Sequence, residues 1–155
     1  MKSYRLLRKQ TLHCNIQKAW SFFSNPKNLN LLTPADMSFE ILSDQPLPMI
    51  YEHQIINYRI RPLLNLPMKW ETEIVDVKAL NYFTDIQRKG PFKLWKHKHS
   101  FEEVNGKVVM IDELNYALPL GILGRLAHTI FVKAKLNSIF DYRYKKVEDI
   151  FNQMH

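Results

Sequence analysis

The chain has 155 residues, 46% of them hydrophobic and 24% charged, and this balance is typical of one globular domain with a substantial core. A net charge of +7 would suit a nucleic-acid partner, but the Lys and Arg residues are dispersed among apolar ones, which disfavours that class of function. The single cysteine, Cys14, excludes an internal disulfide and a cysteine-based zinc site.

The N-terminal stretch has scattered charges and lacks the apolar segment of a secretory signal. The sequence also has no apolar run of the roughly 18 residues that a membrane span needs. We therefore expect residues 1–155 to form a single cytoplasmic domain with neither a membrane span nor a nucleic-acid partner.

The start of the chain predicts one strand followed by two short helices. Polar and apolar residues alternate over 4–14, which indicates a strand. Asn15 is a good N-cap for a helix over 16–24. The pair Asn25-Pro26 ends that helix, and a second short helix is predicted over 28–33.

The middle of the chain predicts four further strands, separated by breaks rich in Pro, Gly and Asn. The predicted strands cover 37–42, 52–61, 68–77 and 82–88. In the third of them, the alternation places Trp70 on the same face as Thr72 and Ile74. For the fourth, the alternation does not decide whether Asp85 and Gln87 point inward as polar anchors or outward into water.

The pair Asn105-Gly106 predicts a β-hairpin with a type I′ turn, because both central residues of that turn need positive φ. The turn fixes the register, with His97 opposite Leu114 and His99 opposite Asp112. The face that carries these residues is mostly aromatic and aliphatic, so we expect it to point inward. Its members are Trp95, His97, His99, Phe101, Met110, Asp112, Leu114 and Tyr116.

Polar side chains on an inward face need partners, because a buried polar group without one costs about 1–3 kcal/mol. His97, His99 and Asp112 must therefore pair with one another, with water or with a ligand. A His99–Asp112 pair that only stabilises the sheet and a functional role for these residues both remain open. For Trp95 and Tyr116, core packing is the simplest interpretation.

Residues 120–151 predict one long amphipathic helix with a bend near its start. Its second half carries an apolar stripe formed by Leu136, Phe140, Tyr144, Val147 and Phe151. The stripe of its first half is rotated and is formed by Leu123, Ala127, Ile130 and Ala134. The small residues in the first half leave room beside the helix.

The order of strand, two short helices, six strands and long helix resembles the helix-grip fold of the SRPBCC, or START-like, superfamily. The run DIQRKGPF at 85–92 and the run WKHKHSF at 95–101 resemble those of a bacterial ligand-binding SRPBCC family of unassigned activity. So do the segments at 112–121, 124–128 and 140–143, and the resemblance covers essentially the whole chain.

The resemblance implies an α+β fold, in which a curved antiparallel sheet of about seven strands wraps around the C-terminal helix and leaves a cavity. Two short helices follow strand one in this fold, and polyketide cyclases and aromatases are relatives at the level of the fold. The fold therefore predicts a cavity without predicting a reaction.

Several kinds of chemistry are disfavoured by the residues. The sequence has no GxSxG motif, no Gly-rich phosphate loop and no Cys–His nucleophile. His97 and His99 point the same way from one strand, but about 7 Å separates such side chains along it. Asp112 between them would make a metal site workable, yet no HExxH motif supports one, so we expect neither a metal nor a cofactor.

The predicted function is the binding of a small, largely apolar molecule, such as a lipid, polyketide-like or aromatic compound, in this cavity. Trp70, Trp95, Tyr116, Leu126 and Ile130 would form its walls. His97, His99 and Asp112 would orient the ligand. The alternative is a cyclase or dehydratase that uses a cavity His–Asp pair for acid–base chemistry, but ligand binding is favoured and no catalytic residue is assigned.

Overall fold

The computed structural model describes residues 1–62 and 64–153. Leu63, which belongs to the predicted loop between Pro62 and Pro67, lies outside the described residues. Met154 and His155, at the end of the predicted domain, also lie outside them.

The described residues form a curved seven-stranded sheet in which all neighbouring strands are antiparallel. The strands lie in the order β1-β7-β6-β5-β4-β3-β2. Their bounds are Tyr4–Leu12 (β1), Glu40–Ile41 (β2), Ile55–Ile60 (β3), Met68–Lys78 (β4), Tyr82–Lys89 (β5), Leu94–Val104 (β6) and Lys107–Ala117 (β7). This order brings the first strand beside the last one, so that the long C-terminal helix packs beneath strands from both ends of the chain.

The helices follow the predicted order, with two short helices after β1 and a long helical segment at the end. They are Ile16–Phe23 (α1), Leu29–Leu32 (α2), Gly121–Ala127 (α3) and Lys133–Phe151 (α4), and a π-helix, His128–Val132, joins α3 to α4. Asn15 caps α1 as predicted, because its side chain accepts a hydrogen bond from the backbone N–H of Lys18. The fold class predicted from the sequence is therefore confirmed.

The strand predicted over 37–42 is shorter than expected, because only Glu40–Ile41 pairs with β3. Residues Ala35–Met37 form a 3₁₀ turn instead, and Ser38 ends that turn in the left-handed conformation, with φ of 47°. A left-handed residue interrupts the extended backbone that strand pairing needs.

The predicted hairpin register is confirmed along the whole length of β6 and β7. His97 lies opposite Leu114 and His99 opposite Asp112, and the turn residues Asn105 and Gly106 have φ of 52° and 73°. Both histidines are buried, as expected for the inward face. Local turn chemistry therefore fixes which side chains of this hairpin face the helix.

The stripe predicted for the second half of the helix is confirmed at Leu136, Phe140, Val147 and Phe151 but is wrong at Tyr144. Tyr144 is 39% exposed, and Arg143 occupies the inward position in its place. The first-half stripe is also wrong, because Leu123 and Ile130 are both 66% exposed.

The buried positions of the first half follow a strict spacing of four residues. They are Gly124, His128 and Val132, and the same spacing continues to Leu136. A π-helical turn contains more residues than an α-helical turn, so residues four apart stay on one face across it. Gly124 is required at its position, because a Cβ there would collide with the carbonyl oxygen of Pro119.

Two apolar clusters pack between the sheet and the helices, one around Trp70, Tyr116 and Leu136 and the other around Phe23, Phe101 and Val147. In the part of the chain that the structure describes, no helix is both long enough and apolar enough to cross a membrane.

Candidate functional site

A cavity of about 190 Å³ lies between the inner face of the sheet, the short helices and α4. Four of the residues predicted for the site line it, and they are Trp70, Trp95, His97 and His99. Other contributions come from α1 and α2 through Phe23 and Leu32, and from α4 through Leu136, Ile139, Phe140 and Arg143. Most of its lining is apolar, as is common for sites that bind small molecules.

One side of the cavity is formed by packed aromatic rings. Trp70 stacks on Tyr58, with 5.9 Å between ring centroids, and meets Trp95 edge-on at 5.0 Å. Tyr58 is anchored by a hydrogen bond of 3.1 Å between its hydroxyl and that of Thr72. The indole N–H of Trp70 is buried and has no hydrogen-bond partner among the described residues. This donor therefore belongs to a residue that lines the cavity.

Five polar side chains, here called the polar cluster, form a second part of the site, and they are Asp85, His97, His99, Asp112 and Arg143. All of them except Asp112 line the cavity. Asp112 receives a hydrogen bond of 2.9 Å from Arg143 Nε. His99 lies between two carboxylates, with 2.8 Å from Nε2 to Asp85 Oδ2 and 2.9 Å from Nδ1 to Asp112 Oδ1. The arrangement removes at least three ionisable groups almost completely from water.

His97 is less well satisfied than His99. Its Nε2 lies 3.2 Å from Asp112 Oδ1 but is not aligned for a hydrogen bond, and its Nδ1 lies 3.9 Å from Asp85 Oδ2. Its ring faces Phe140, with 5.4 Å between centroids. His97 thus borders the cavity with one nitrogen turned towards each carboxylate.

Burial and charge shift the pKa values within the polar cluster in different directions. Burial, together with the neighbouring His99, lowers the pKa of His97. Burial also acts to lower the pKa of His99, but its hydrogen bonds to Asp112 and Asp85 outweigh that effect and raise it. Burial alone would raise the pKa of Asp112, whereas the Arg143 guanidinium and the two histidines hold it well below its usual range.

The structure resolves the open question about β5. Asp85 points into the cavity and contacts His99. Gln87 instead binds the backbone of Phe92, with its Nε2 donating to the carbonyl at 2.7 Å and its Oε1 accepting from the N–H at 3.1 Å. Asp85 is therefore a polar anchor of the cavity, whereas Gln87 stabilises the connection between β5 and β6.

Two predicted wall residues, Leu126 and Ile130, are misplaced by the sequence analysis. They are 56% and 66% exposed on the outer side of α3 and the π-helix. The inner side at this level belongs to His128 and Val132, because the π-helix shifts the helix face relative to a regular α-helix. The assignment of Leu126 and Ile130 to the cavity wall is therefore wrong.

Asp112 and Tyr116 lie behind the wall rather than on it. Asp112 is covered by His99 and Arg143. Tyr116 is 3% exposed and shares a hydrogen bond of 2.8 Å with His128 Nε2. Tyr4 stacks on the ring of His128, with 3.4 Å between ring centroids.

The most consequential residue that the sequence analysis missed is Arg143. Its position, three residues after Phe140 and four before Val147, fits the buried helix face. Tyr144, the next residue, lies on nearly the same face of the helix and is more hydrophobic than Arg143. A prediction from hydrophobicity alone therefore chose Tyr144, which is wrong. The carboxylate of Asp112, predicted on the inward face of β7, was the signal that called for a buried cation.

The expected separation of about 7 Å between His97 and His99 is also wrong. The rings turn towards each other, and their centroids are 3.8 Å apart. As a result, one ligand atom from each of Asp85, His97 and His99 lies within 4.8 Å of the others. These three residues have the ligand types and the spacing to hold a metal ion.

No family model and no curated protein matches this chain. Among solved structures, the Zhui aromatase/cyclase from Streptomyces sp. R1128 is similar with a TM-score of 0.75 at 8% identity, over 96% of this chain and 93% of that one. A START superfamily protein from Mycobacterium smegmatis has a TM-score of 0.71 at 10% identity, over 97% of this chain and 99% of that one.

The ginseng major latex-like protein 151 from Panax ginseng is also similar, with a TM-score of 0.69 at 10% identity. That match covers 97% of this chain and 99% of the ginseng chain. Identities this low establish the fold rather than an activity. The chain therefore has the helix-grip fold, which it shares with these solved structures.

Proposed function

We propose that this protein binds a small, largely apolar molecule in the cavity between its sheet and α4. The observation that carries the proposal is a largely apolar cavity lined by Trp70, whose buried indole N–H lacks a partner in the described part of the chain. A buried donor without a partner is costly, and a ligand oxygen would satisfy it.

The cavity limits the size and polarity of the occupant. Its volume of about 190 Å³ lies below the roughly 300–1,000 Å³ of pockets for drug-sized ligands. Aromatic walls at Tyr58, Trp70 and Trp95 favour a flat ring or a short acyl chain. We therefore expect a compact apolar ligand with an oxygen acceptor.

The experiment has two parts. Native and denaturing mass spectra of the purified protein are compared first, to detect a molecule that is released on denaturation. Emptied protein is then titrated calorimetrically with 1-naphthol and with decanoic acid, which represent the ring and the acyl chain. We expect at least one probe to bind with a stoichiometry of one per chain.

A cavity-filling variant and a matched control locate the binding. Ile139→Trp adds bulk at a residue that lines the cavity, whereas Ile150→Trp makes the same change at a more exposed position of the same helix. Ile139→Trp is expected to weaken probe binding at least tenfold and Ile150→Trp to leave it unchanged. Equal affinities in the two variants would place the probe elsewhere and reject the cavity as the binding site.

The second candidate function is acid–base catalysis, and it is favoured by the position of His97 and His99 on the cavity surface with Asp112 behind them. A histidine backed by a carboxylate is a common general base. If the protein is a catalyst of this kind, it must convert the molecule that it binds. A His99→Gln variant should then still bind the ligand but no longer convert it. If wild-type protein converts no ligand and the variant only binds it more weakly, the protein binds the ligand without catalysis.

A further inference from the structure

Asp85, His97 and His99 form a group of three oxygen and nitrogen ligands at one end of the cavity. Their nearest ligand atoms lie within 4.8 Å of one another. Asp85 Oδ2 is 2.8 Å from His99 Nε2 and 3.9 Å from His97 Nδ1. Ligands that are each about 2.0–2.2 Å from one ion have separations of this order, so small side-chain shifts would accommodate a cation.

The second nitrogen of each histidine gives independent support. His97 Nε2 and His99 Nδ1 both face Asp112 Oδ1, at 3.2 and 2.9 Å. Histidines that ligate a metal usually donate their other N–H to a carboxylate, which fixes the tautomer and the ring orientation. Here one oxygen of Asp112 lies within 3.2 Å of a nitrogen of each ring, and Arg143 donates to the other oxygen of that carboxylate.

The charge of the polar cluster points in the same direction. Two carboxylates, those of Asp85 and Asp112, lie on either side of the His99 ring at 2.8 and 2.9 Å, and they favour a positive charge between them. A metal cation bound at His99 Nε2 would supply that positive charge. His97 Nε2 is also a buried atom without an aligned partner among the described residues, and a metal ion at Nδ1 would fix the ring so that Nε2 aligns with Asp112 Oδ1, 3.2 Å away.

We propose that Asp85 Oδ2, His97 Nδ1 and His99 Nε2 bind a divalent first-row transition-metal ion. Two imidazoles and one carboxylate suit Zn²⁺, Fe²⁺ or Co²⁺ and disfavour Mg²⁺ and Ca²⁺, which prefer oxygen ligands alone. Three protein ligands leave at least one coordination position for water or for an oxygen of a molecule in the cavity. The site goes beyond the proposed function, since it needs no apolar ligand.

The test uses Zn²⁺ and Co²⁺ themselves as probes. Full-length protein is stripped with a chelator and titrated calorimetrically with Zn²⁺, and Co²⁺ binding is followed by visible absorption. We expect one ion per chain. Asp85→Asn and His97→Gln are each expected to weaken Zn²⁺ binding at least tenfold. The matched control is His53→Gln, because His53 is exposed and lies outside the cluster. Unchanged Zn²⁺ affinity in both cluster variants overturns the proposal.

A second measurement needs no variant and therefore does not depend on how well a variant folds. Long-range ¹H–¹⁵N spectra of the histidine rings are recorded on the wild-type protein with and without Zn²⁺. The proposal requires the largest shifts at His97 Nδ1 and His99 Nε2. Shifts confined to the exposed histidines, or no shift at one equivalent of Zn²⁺, would refute it. Neither measurement includes an organic ligand, so failure here leaves the cavity-binding proposal to its own experiment.

Discussion

Arg143 and Asp112 form an ion pair that is almost completely removed from water, with 2.9 Å between Nε and Oδ2 and side-chain exposures of 11% and 3%. A pair of this kind contributes little net stability when intact, but removing one partner leaves a buried charge uncompensated. We therefore expect a mutation of one partner to destabilise the protein strongly, even though the intact pair adds little to its stability.

We predict that Arg143→Met lowers the free energy of unfolding by about 3–5 kcal/mol, because Asp112 then lacks its guanidinium. Urea denaturation followed by circular dichroism measures the change. The control is Arg5→Met, which breaks the exposed pair between Arg5 and Glu113 and should cost no more than about 1 kcal/mol. A loss at Arg143 as small as that at Arg5 would show that Asp112 is not the buried charge described here.

His128 gives a pH dependence of stability. Burial, followed by the charges of Lys133 and Lys2, lowers its pKa, and its Nε2 shares a hydrogen bond with Tyr116. Because the unfolded chain binds this proton more readily than the folded one, the stability from His128 is complete above the unfolded pKa of about 6.5 and falls as the pH drops below it.

We expect wild-type protein to lose more stability than His128→Phe between pH 7.5 and pH 5. Melting temperatures measured at several pH values for both proteins test this, and comparing the two removes the contribution of the other histidines. Parallel pH profiles of the two proteins would mean that His128 titrates normally in the folded state.

At the scale of elements, the π-helix between α3 and α4 decides which residues of the helical segment face the sheet. Val132 is 2% exposed and Ile130 is 66% exposed, although both are β-branched and only two positions apart. The apolar side chains that the helix period alone assigns to the cavity are instead outside.

We predict that Val132→Ala lowers the free energy of unfolding by about 2 kcal/mol, since it deletes buried methyl groups and leaves a small cavity. Ile130→Ala is the matched control and should change stability by no more than about 0.5 kcal/mol. Both are measured by urea denaturation. The assignment of the helix faces is wrong if the two substitutions cost the same, or if Ile130→Ala costs more.

At the scale of the whole molecule, β1 joins both ends of the chain and both apolar clusters. It pairs with β7 from Tyr4 to Leu12, while Leu6 lies in one cluster and Leu12 in the other. Gln10 Nε2 also reaches α4, where it donates to the carbonyl of Tyr144 and to Glu148 Oε1, both at 2.9 Å. The strand therefore contributes to the cavity only indirectly, by holding β7 and α4 together.

Deletion of residues 2–12 should abolish cooperative unfolding, because it exposes the edge of β7 and removes apolar contacts from both clusters. The control is deletion of residues 2–3, which precede β1 and should leave the urea transition unchanged. Size-exclusion chromatography and urea denaturation give the result. A cooperative transition with an unchanged midpoint in the longer deletion would contradict the role assigned to β1.

The sequence by itself determined the features that depend on near neighbours in the chain. The turn at Asn105-Gly106 set the register of β6 and β7 and so placed His97, His99 and Asp112 on the inward face. The order of elements and the motif resemblance were enough for the fold class, because each element has its own local pattern. Trp70, Trp95, His97 and His99 line the cavity for the same reason, and their contact with a ligand stays a prediction.

Only the tertiary structure decided the features that depend on distant segments. Whether Asp85 faces inward follows from the pairing of β5 with β6, which places Asp85 opposite the inward-facing His97 and which alternation along one strand cannot reveal. The choice of Arg143 over Tyr144 follows from the buried charge of Asp112, which is 31 residues away in the chain. The outward position of Leu126 and Ile130 follows from the π-helix, since an extra residue in one turn rotates everything before it relative to everything after it.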